Sequence, residues 1–464
     1  MMIMMISQIM NYTEEKWWDL ELLNIIILPG IWLTDGQHLK RAANVLRGAC
    51  DLQIGDKLVI ILPRIPQWWT INVGAIRAAY MQKGWSFVSR DEAKKREFNR
   101  YYYSYLRDGW LNYDELMESA SDEFQTCNTK ASDPMTLFFT SGTTGAPKMT
   151  EHTHASYGYG HYVTAKYMLN CKPNDIIWAL ADTGWAKCAW SCLFAPWIAG
   201  SCVFVHHSER FDPERTLNVL QKYPVSHFCA PPTAYRLMVK QPLKNYSIQA
   251  RHCIGAGEPL NPELLDWWKE GTGLMLYEGF GQTETTFLCG TYPCVNIRPG
   301  SMGKAAPGID IEDDEKRTKS VHQGEFYLTG DRAIMDEDRY IWFVGRADDV
   351  ILTAGYRVGP FEVESALIEH PSVIESAAVS SPDKDRGEVV KAFIVLGASY
   401  QDADKEKLTK ELQDHVKSVT APYKYPRKIE FVTQLPKTVS GKIRRVELRN
   451  KEWNRPIDHK EADV

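Results

Sequence analysis

This sequence has no C-x-x-C pair, no apolar run long enough for a bilayer, no block of like charge and no internal repeat of fixed period. Its ten cysteines, spread over 464 residues, read as reduced thiols and not as a disulfide framework. Cys188 and Cys192 can share a helix face, but no histidine or carboxylate accompanies them in a metal-ligand pattern. The most hydrophobic early stretch, LLNIIILPGIWL, is short and broken at Pro29 and Gly30, which excludes a spanning helix there. A net charge of −5 with acids and bases interspersed leaves no electrostatic footprint for nucleic acid or an anionic membrane. Nothing points to an obligate protein partner. The opening MMIMMISQIMNYTEEKWW carries no arginine and is acidic by Glu14, so it does not read as a mitochondrial presequence.

What is present is first a loop. TSGTTGAPK, Thr140 to Lys148, follows the apolar run MTLFF. Gly142 and Gly145 let backbone N–H groups turn inward, Thr140, Ser141, Thr143 and Thr144 add donors, and Lys148 adds charge. That chemistry suits a polyphosphate. The G-x(4)-G-K-[ST] spacing of a Walker loop is absent, and Pro147 pushes Ala146 away from helical geometry, so this loop does not feed straight into a helix.

The chain is long enough for two domains, because single cores stop growing near ~250–300 residues. HLKRAANVLRGAC and PQWWTINVGAIRAAY read as helices around the buried strand KLVIILP, and the alternation recurs in DIIWALA, SCVFVHH, HFCAPPTAYRLMV and RHCIGAGEP. This predicts α/β architecture with a parallel or mixed sheet. From Phe361 the pattern becomes helix, strand, strand, helix, strand (FEVESALIEH, VIESAAVS, VVKAFIVLG, KEKLTKELQDHVKSV, KIEFV), a small α+β unit. The boundary is predicted at residues 347–348, within GRADDVILTAGYRVGP.

A second loop, YEGFGQTETT from Tyr277 to Thr286, follows the strand-like LML. Phe280 can offer a face to a purine, Gly279 and Gly281 allow close backbone approach, and Thr283 can reach a phosphate oxygen. Glu284 is the candidate magnesium ligand, since Mg²⁺ on a nucleotide takes one or two carboxylates beside phosphates and waters. Asp331 is read as ending the strand EFYLTGD and Arg346 as ending YIWFVGR, so an antiparallel hairpin brings both to one end. A carboxylate there can accept two ribose hydroxyls and a guanidinium can hold a ribose or phosphate oxygen. Lys442 lies in the basic loop PKTVSGKIRR. GAGEP, Gly255 to Pro259, is a turn between a strand and a helix begun near Asn261 and Pro262.

These motifs together resemble the adenylate-forming superfamily, and most closely its medium-chain acyl-CoA synthetases, from about Lys40 to the end. The resemblance implies a large N-terminal domain of parallel and mixed sheets flanked by helices, residues 1–347, and a mobile α+β C-terminal domain, 348–464, hinged at Asp348. It implies a two-step ligase that uses ATP, Mg²⁺ and coenzyme A on a medium-chain fatty or aromatic acid, in the mitochondrial matrix. On that basis Thr140 to Lys148, with Ala146 included, surrounds the phosphates, and Glu278, Gly279, Phe280, Gly281, Gln282 and Thr283 meet the nucleotide. GAGEP lines the adenine pocket. Lys442, Thr283 and Glu284 carry the chemistry, with Lys442 stabilising charge on the α-phosphate as the carboxylate attacks. Ala354, Gly355 and Tyr356 lie on the pantetheine side, Arg386, Lys417, Tyr425, Pro426 and Arg427 near the coenzyme A nucleotide, and Arg357 faces the acyl-adenylate. The acyl pocket draws on DTGWAKCAWSCLFAPW, with Trp185, Trp190 and Trp197. Two family segments are shortened or missing, near residues 84–110 and 314–318. The alternative reading is therefore an inactive or nucleotide-binding-only form.

Overall fold

The computed structural model describes residues 2–6, 25–27, 36–54, 56–60, 66–78, 81–84, 113–140, 148–183, 185–206, 208, 211–313, 322–323, 326–327, 329–346, 349–353, 356–384, 386–437 and 443–454. Its contacts group into two compact units. One comprises Met10–Glu258 and Leu264–Asn296; the other comprises Met1–Ile9, Pro259–Glu263 and Ile297–Val464.

In the first unit the apolar runs form strands buried on both faces, as a parallel sheet requires. His227–Ala230 and His252–Ala256 are buried at every position. In sheet order come Thr286–Gly290, Leu276–Gln282, His252–Ala256, His227–Ala230, Ile176–Ala179, Cys202–Val205 and Ile25–Ile27. All adjacent pairs are parallel except Leu276–Gln282 with Thr286–Gly290, which form an antiparallel hairpin. A second sheet orders Lys57–Ile60, Met81–Gly84, Pro134–Thr140 and Lys148–Thr153, the last pair antiparallel. Helices Gly36–Arg47 and Pro66–Arg77 cover it, and the Trp69 indole N–H donates to the Cys192 carbonyl at 2.7 Å. Among the described residues the predicted strands and helices of this region are present, while the ends of KLVIILP (residues 61–63) and of PQWWTINVGAIRAAY (79–80) lie outside them.

In the second unit, Asp331–Met335 pairs antiparallel with Ile341–Arg346, and Ile351–Thr353 with Tyr356–Val358. Beyond them come helix Pro360–Ile368, strand Val373–Asp383, strand Gly387–Leu396, helix Lys405–Val419, strand Lys428–Phe431 and helix Arg445–Glu452. The helix Lys405–Val419 matches the periodicity from KEKL to KSV, and Asp404 caps it by accepting from the Glu406 and Lys407 amides. Leu408, Leu412 and Val416, one stripe of that helix, pack with Val363, Leu367, Ile394 and Leu396 in a single core.

One boundary differs from the sequence reading. Asp331 begins a strand; it does not end one. Gly330, with φ +73°, turns the chain just before it, a conformation that an L side chain resists. The consequence for Asp331 and Arg346 is unchanged, because the register pairs them directly.

Candidate active site at the carboxyl ends of the strands

The motif segments of the first unit converge on one sheet edge. Strand His252–Ala256 runs into Gly257 and Glu258, His227–Ala230 into APPTA, Ile176–Ala179 into DTGWA, and Leu276–Gln282 into the turn bearing Thr283 and Glu284. In open α/β sheets ligands bind outside these carboxyl ends. Two ties hold the edge together. Glu258 accepts from Thr233 Oγ1 at 2.8 Å and pairs with Arg236 at 2.9 Å, and Lys187 Nζ donates to the Ala256 carbonyl at 2.9 Å.

Thr140 and Lys148 face each other as the last register pair of an antiparallel hairpin. The loop therefore leads from strand to strand and not straight into a helix, the exclusion that its proline predicts. Residues 141–147, which include Ser141, Gly142, Thr143, Thr144, Gly145, Ala146 and Pro147, lie outside the described residues, as do the side chains of Thr140 and Lys148.

The return strand carries a residue that the sequence reading missed. His152, 5% exposed, places Nε2 2.7 Å from the Thr283 carbonyl oxygen. Facing a carbonyl, Nε2 carries the proton and donates it. Burial pulls this imidazole below its usual pKa, against the opposing effects of the Thr283 bond and the nearby Glu284 carboxylate. A neutral histidine thus ties the phosphate-loop hairpin to the second motif. Strand alternation is the one available signal, since Lys148, Thr150 and His152 share a face.

The second motif is itself strand and turn, with a bulge between Phe280 and Gly281. A Cβ on Gly281 would lie inside the Thr286 carbonyl oxygen, so only glycine fits. Thr286 holds φ +60°, an outlying conformation for a β-branched residue. Thr285 Oγ1 accepts from the Gln282 amide at 3.1 Å and shapes the turn. Glu278 is buried, and its amide donates to Thr291 Oγ1 at 2.6 Å.

In the second unit Arg346 Nη1 reaches Asp331 Oδ1 at 3.1 Å, and Asp331 is 8% exposed. Lys442 lies outside the described residues, but both stems of its loop are described. Lys437 and Ile443 form a bridge, and the Arg444 amide donates to the Pro436 carbonyl at 2.9 Å. The neighbouring cations do not form a solvated cluster. Lys437 pairs with Glu375 at 2.5 Å, Arg444 pairs with Glu447, and Arg445 makes a two-pronged contact with buried Glu364 at 2.9 and 2.6 Å. Glu364 also accepts from the Ala378 amide at 2.8 Å, which anchors the loop exit to the core.

Of the coenzyme A candidates, Lys417, Tyr425 and Arg427 come together. The Lys417 ammonium sits 4.4 Å from the Tyr425 ring, and Arg427 donates to the Tyr425 hydroxyl at 2.7 Å. Gln413 fixes the Pro426 carbonyl at 3.0 Å. Tyr356 stacks on Tyr423, a residue not singled out from sequence, with ring centroids 4.2 Å apart. Arg386 stands in the turn before Gly387, its amide bonded to Asp383, and no described contact joins it to the others. Asp348, Ala354, Gly355 and the Arg357 side chain lie outside the described residues, as do residues 85–112 and 314–321 around the two departures. Among the described residues no group of three histidine, cysteine or acidic side chains could hold a metal ion, and no helix is long and apolar enough to cross a membrane.

Comparison with known proteins decides the family. Residues 86–336 match the AMP-binding enzyme family and residues 362–442 match the AMP-binding enzyme C-terminal domain. The chain belongs to the AMP-binding enzymes. Among curated relatives, mitochondrial acyl-coenzyme A synthetase ACSM3 of Homo sapiens is 45% identical, with 90% of this chain and 82% of the relative covered. Mitochondrial acyl-coenzyme A synthetase ACSM4 of Rattus norvegicus is 44% identical over 90% of this chain and 84% of the relative. The anthranilate CoA ligase AuaEII, solved in complex with anthranoyl-AMP, superposes with a TM-score of 0.83 at 26% identity, covering 93% of this chain and 94% of that one. The fold is therefore that of adenylate-forming enzymes. The alignment to human ACSM3 runs over 483 positions while using only 90% of these 464 residues, so the relative carries stretches that this AMP-binding enzyme lacks.

Proposed function

We propose that this AMP-binding enzyme converts a medium-chain fatty or aromatic carboxylic acid to its coenzyme A thioester through an acyl-adenylate, releasing AMP and pyrophosphate. The observation that carries this reading is the His152–Thr283 tie, which holds the hairpin of the phosphate loop against the Thr283–Glu284 turn at the carboxyl edge of the sheet. The loop from Thr140 to Lys148 holds the β- and γ-phosphates, and Thr283 donates to a phosphate oxygen. Asp331 accepts the ribose hydroxyls, with Arg346 beside it. Lys442 stabilises the charge that grows on the α-phosphate as the carboxylate attacks. Tyr356, Lys417, Tyr425 and Arg427 receive coenzyme A. The segment Asp182–Trp197 lines the acyl pocket.

The donor set fits magnesium in one respect: Glu284 stands alone as a carboxylate in the turn, the number that Mg²⁺ uses when phosphates complete its shell. Bound there, the ion would neutralise phosphate charge. We place the domain boundary at residues 347–348 with Asp348 as hinge. Segment Ile297–Arg346 packs with the residues beyond it here, and such a hinge would open that packing. The names of the relatives place them in mitochondria, and we assign this chain to the matrix by the same reading.

The stretches that relatives carry and this chain lacks favour a second reading, a form that binds nucleotide without turnover. ATP–pyrophosphate exchange with butyrate, hexanoate, octanoate and benzoate separates the two. Exchange dependent on one of these acids supports the ligase. Thermal stabilisation by ATP·Mg without exchange supports the binder.

A further inference from the structure

Two aromatic side chains face outward on the second unit. Tyr356, at the head of strand Tyr356–Val358, is 51% exposed, and Tyr423, in the short turn Pro422–Lys424, is 36% exposed. Their rings stack with centroids 4.2 Å apart and planes 15° apart. Among the described residues no hydrogen bond, ion pair or other ring holds the Tyr356 side chain, so the Tyr423 ring is what fixes it. Tyr423 is itself anchored. Pro422 presets the turn, the Lys424 amide donates to the Ala421 carbonyl at 2.9 Å, and the Lys424 ammonium pairs with Glu362 of helix Pro360–Ile368, the helix that follows the Tyr356 strand. The chain then runs directly to Tyr425, whose ring lies 4.4 Å from the Lys417 ammonium and 4.9 Å from the Arg427 guanidinium. The turn thus joins the residue assigned to the pantetheine side to those assigned to the coenzyme A nucleotide. Lys417 pairs with Asp414 and Lys424 with Glu362, but among the described residues no carboxylate pairs with Arg427, which leaves its charge for a phosphate.

We propose that Tyr423 is a positioning residue for coenzyme A, holding the Tyr356 ring in the orientation that the pantetheine arm meets. The inference rests on the ligase reading and adds a residue to its thioester half-reaction. A half-exposed tyrosine exchanges between rotamers unless something packs on its ring. A second, nearly parallel ring packs on one face and leaves the other open to a ligand. Coenzyme A then meets a wall already set, and less freedom is lost when it binds.

The test follows both half-reactions of the full chain with an acid that supports exchange. Tyr423→Ala should raise the KM for coenzyme A in thioester formation by about 2- to 13-fold, the worth of an aromatic pair. Its kcat at saturating coenzyme A should stay near wild type, because the bound coenzyme restores the wall. Tyr423→Phe keeps the stack and should keep the wild-type KM. Tyr356→Ala and the double variant should match each other, since Tyr423 acts only through Tyr356. An unchanged KM in Tyr423→Ala overturns the proposal, as does an equal rise in Tyr423→Phe or a further rise in the double variant. So does a parallel fall in acid-dependent pyrophosphate exchange or in Tm, because the ring would then serve the fold and not coenzyme A. Exchange with none of the acids refutes the ligase reading separately. Equilibrium titration of coenzyme A into the full chain then decides this one: binding weakened in Tyr423→Ala and recovered in Tyr423→Phe supports it, and equal binding, or none by the wild type, overturns it.

Discussion

Replacing His152 by leucine removes one hydrogen bond and leaves the Thr283 carbonyl oxygen without its 2.7 Å donor. A neutral hydrogen bond is worth about 1 kcal/mol net, and a buried acceptor left unpaired costs about 1–3 kcal/mol. The displaced carbonyl belongs to Thr283 and Glu284 follows it directly, so the disorder falls on the groups assigned to the departing pyrophosphate. If that full range appears in the transition state, pyrophosphate exchange drops by about 5- to 150-fold. Thioester formation from preformed acyl-adenylate and coenzyme A involves no pyrophosphate and should stay near the wild-type rate. His152→Gln offers an amide donor of similar reach and should recover most of the loss. The assay is acid-dependent exchange of labelled pyrophosphate into ATP, run beside single-turnover thioester formation, with circular dichroism to confirm folding. Wild-type exchange in a folded His152→Leu protein would refute the positioning role. An equal fall in both half-reactions would also refute it, since that would point to general loss of structure.

Lys442→Ala should cripple acyl-adenylate formation and spare thioester formation from preformed acyl-adenylate; rapid-quench measurement of the two half-reactions checks this. Gly281→Ala should abolish exchange in a protein that still folds, because a Cβ there drives into the Thr286 carbonyl oxygen and displaces the Thr283–Glu284 turn; wild-type activity in this variant would contradict the packing. Glu364→Gln should raise the KM for ATP and slow adenylation, because the two-pronged anchor of Arg445 at the exit of the Lys442 loop is lost; unchanged adenylation kinetics would remove Glu364 from that role. Burial, with mutual repulsion and the Arg251 charge, depresses the pKa of His227, and burial depresses that of His252. Unfolding lets both bind protons near pH 6.5, so stability should be level above that pH and fall below it, by at most about 1.4 kcal/mol per pH unit for each imidazole. Urea unfolding between pH 8 and 5 reads this out, and a stability rising on acidification would reverse the assignment.

Much of the scaffold is legible because its signals are local. The alternation of buried strands with helices from Lys57 to Thr272 follows from apolar runs and turn residues, and Asp404 with the stripe Leu408, Leu412 and Val416 announces its helix. Pro147 makes it foreseeable that the phosphate loop does not run straight into a helix, and the pairing of Asp331 with Arg346 needs only a hairpin between them. Contacts between distant segments are not legible in that way. His152 and Thr283 lie 131 positions apart and Glu364 and Arg445 lie 81 apart, and no periodicity links them. The strand boundary at Asp331 is missed because Gly330 reads as one turn residue in a continuous apolar pattern, whereas its positive φ restarts the strand.

The central claim is that this AMP-binding enzyme joins a carboxylic acid to coenzyme A through an adenylate. Its most direct test is quantification of nucleotide and thioester products after incubating the full chain with ATP, Mg²⁺, coenzyme A and the acid panel. AMP, pyrophosphate and acyl-CoA should appear in equal amounts and only when acid is present. ADP with phosphate in place of AMP, or AMP released with no acyl-CoA, would contradict it.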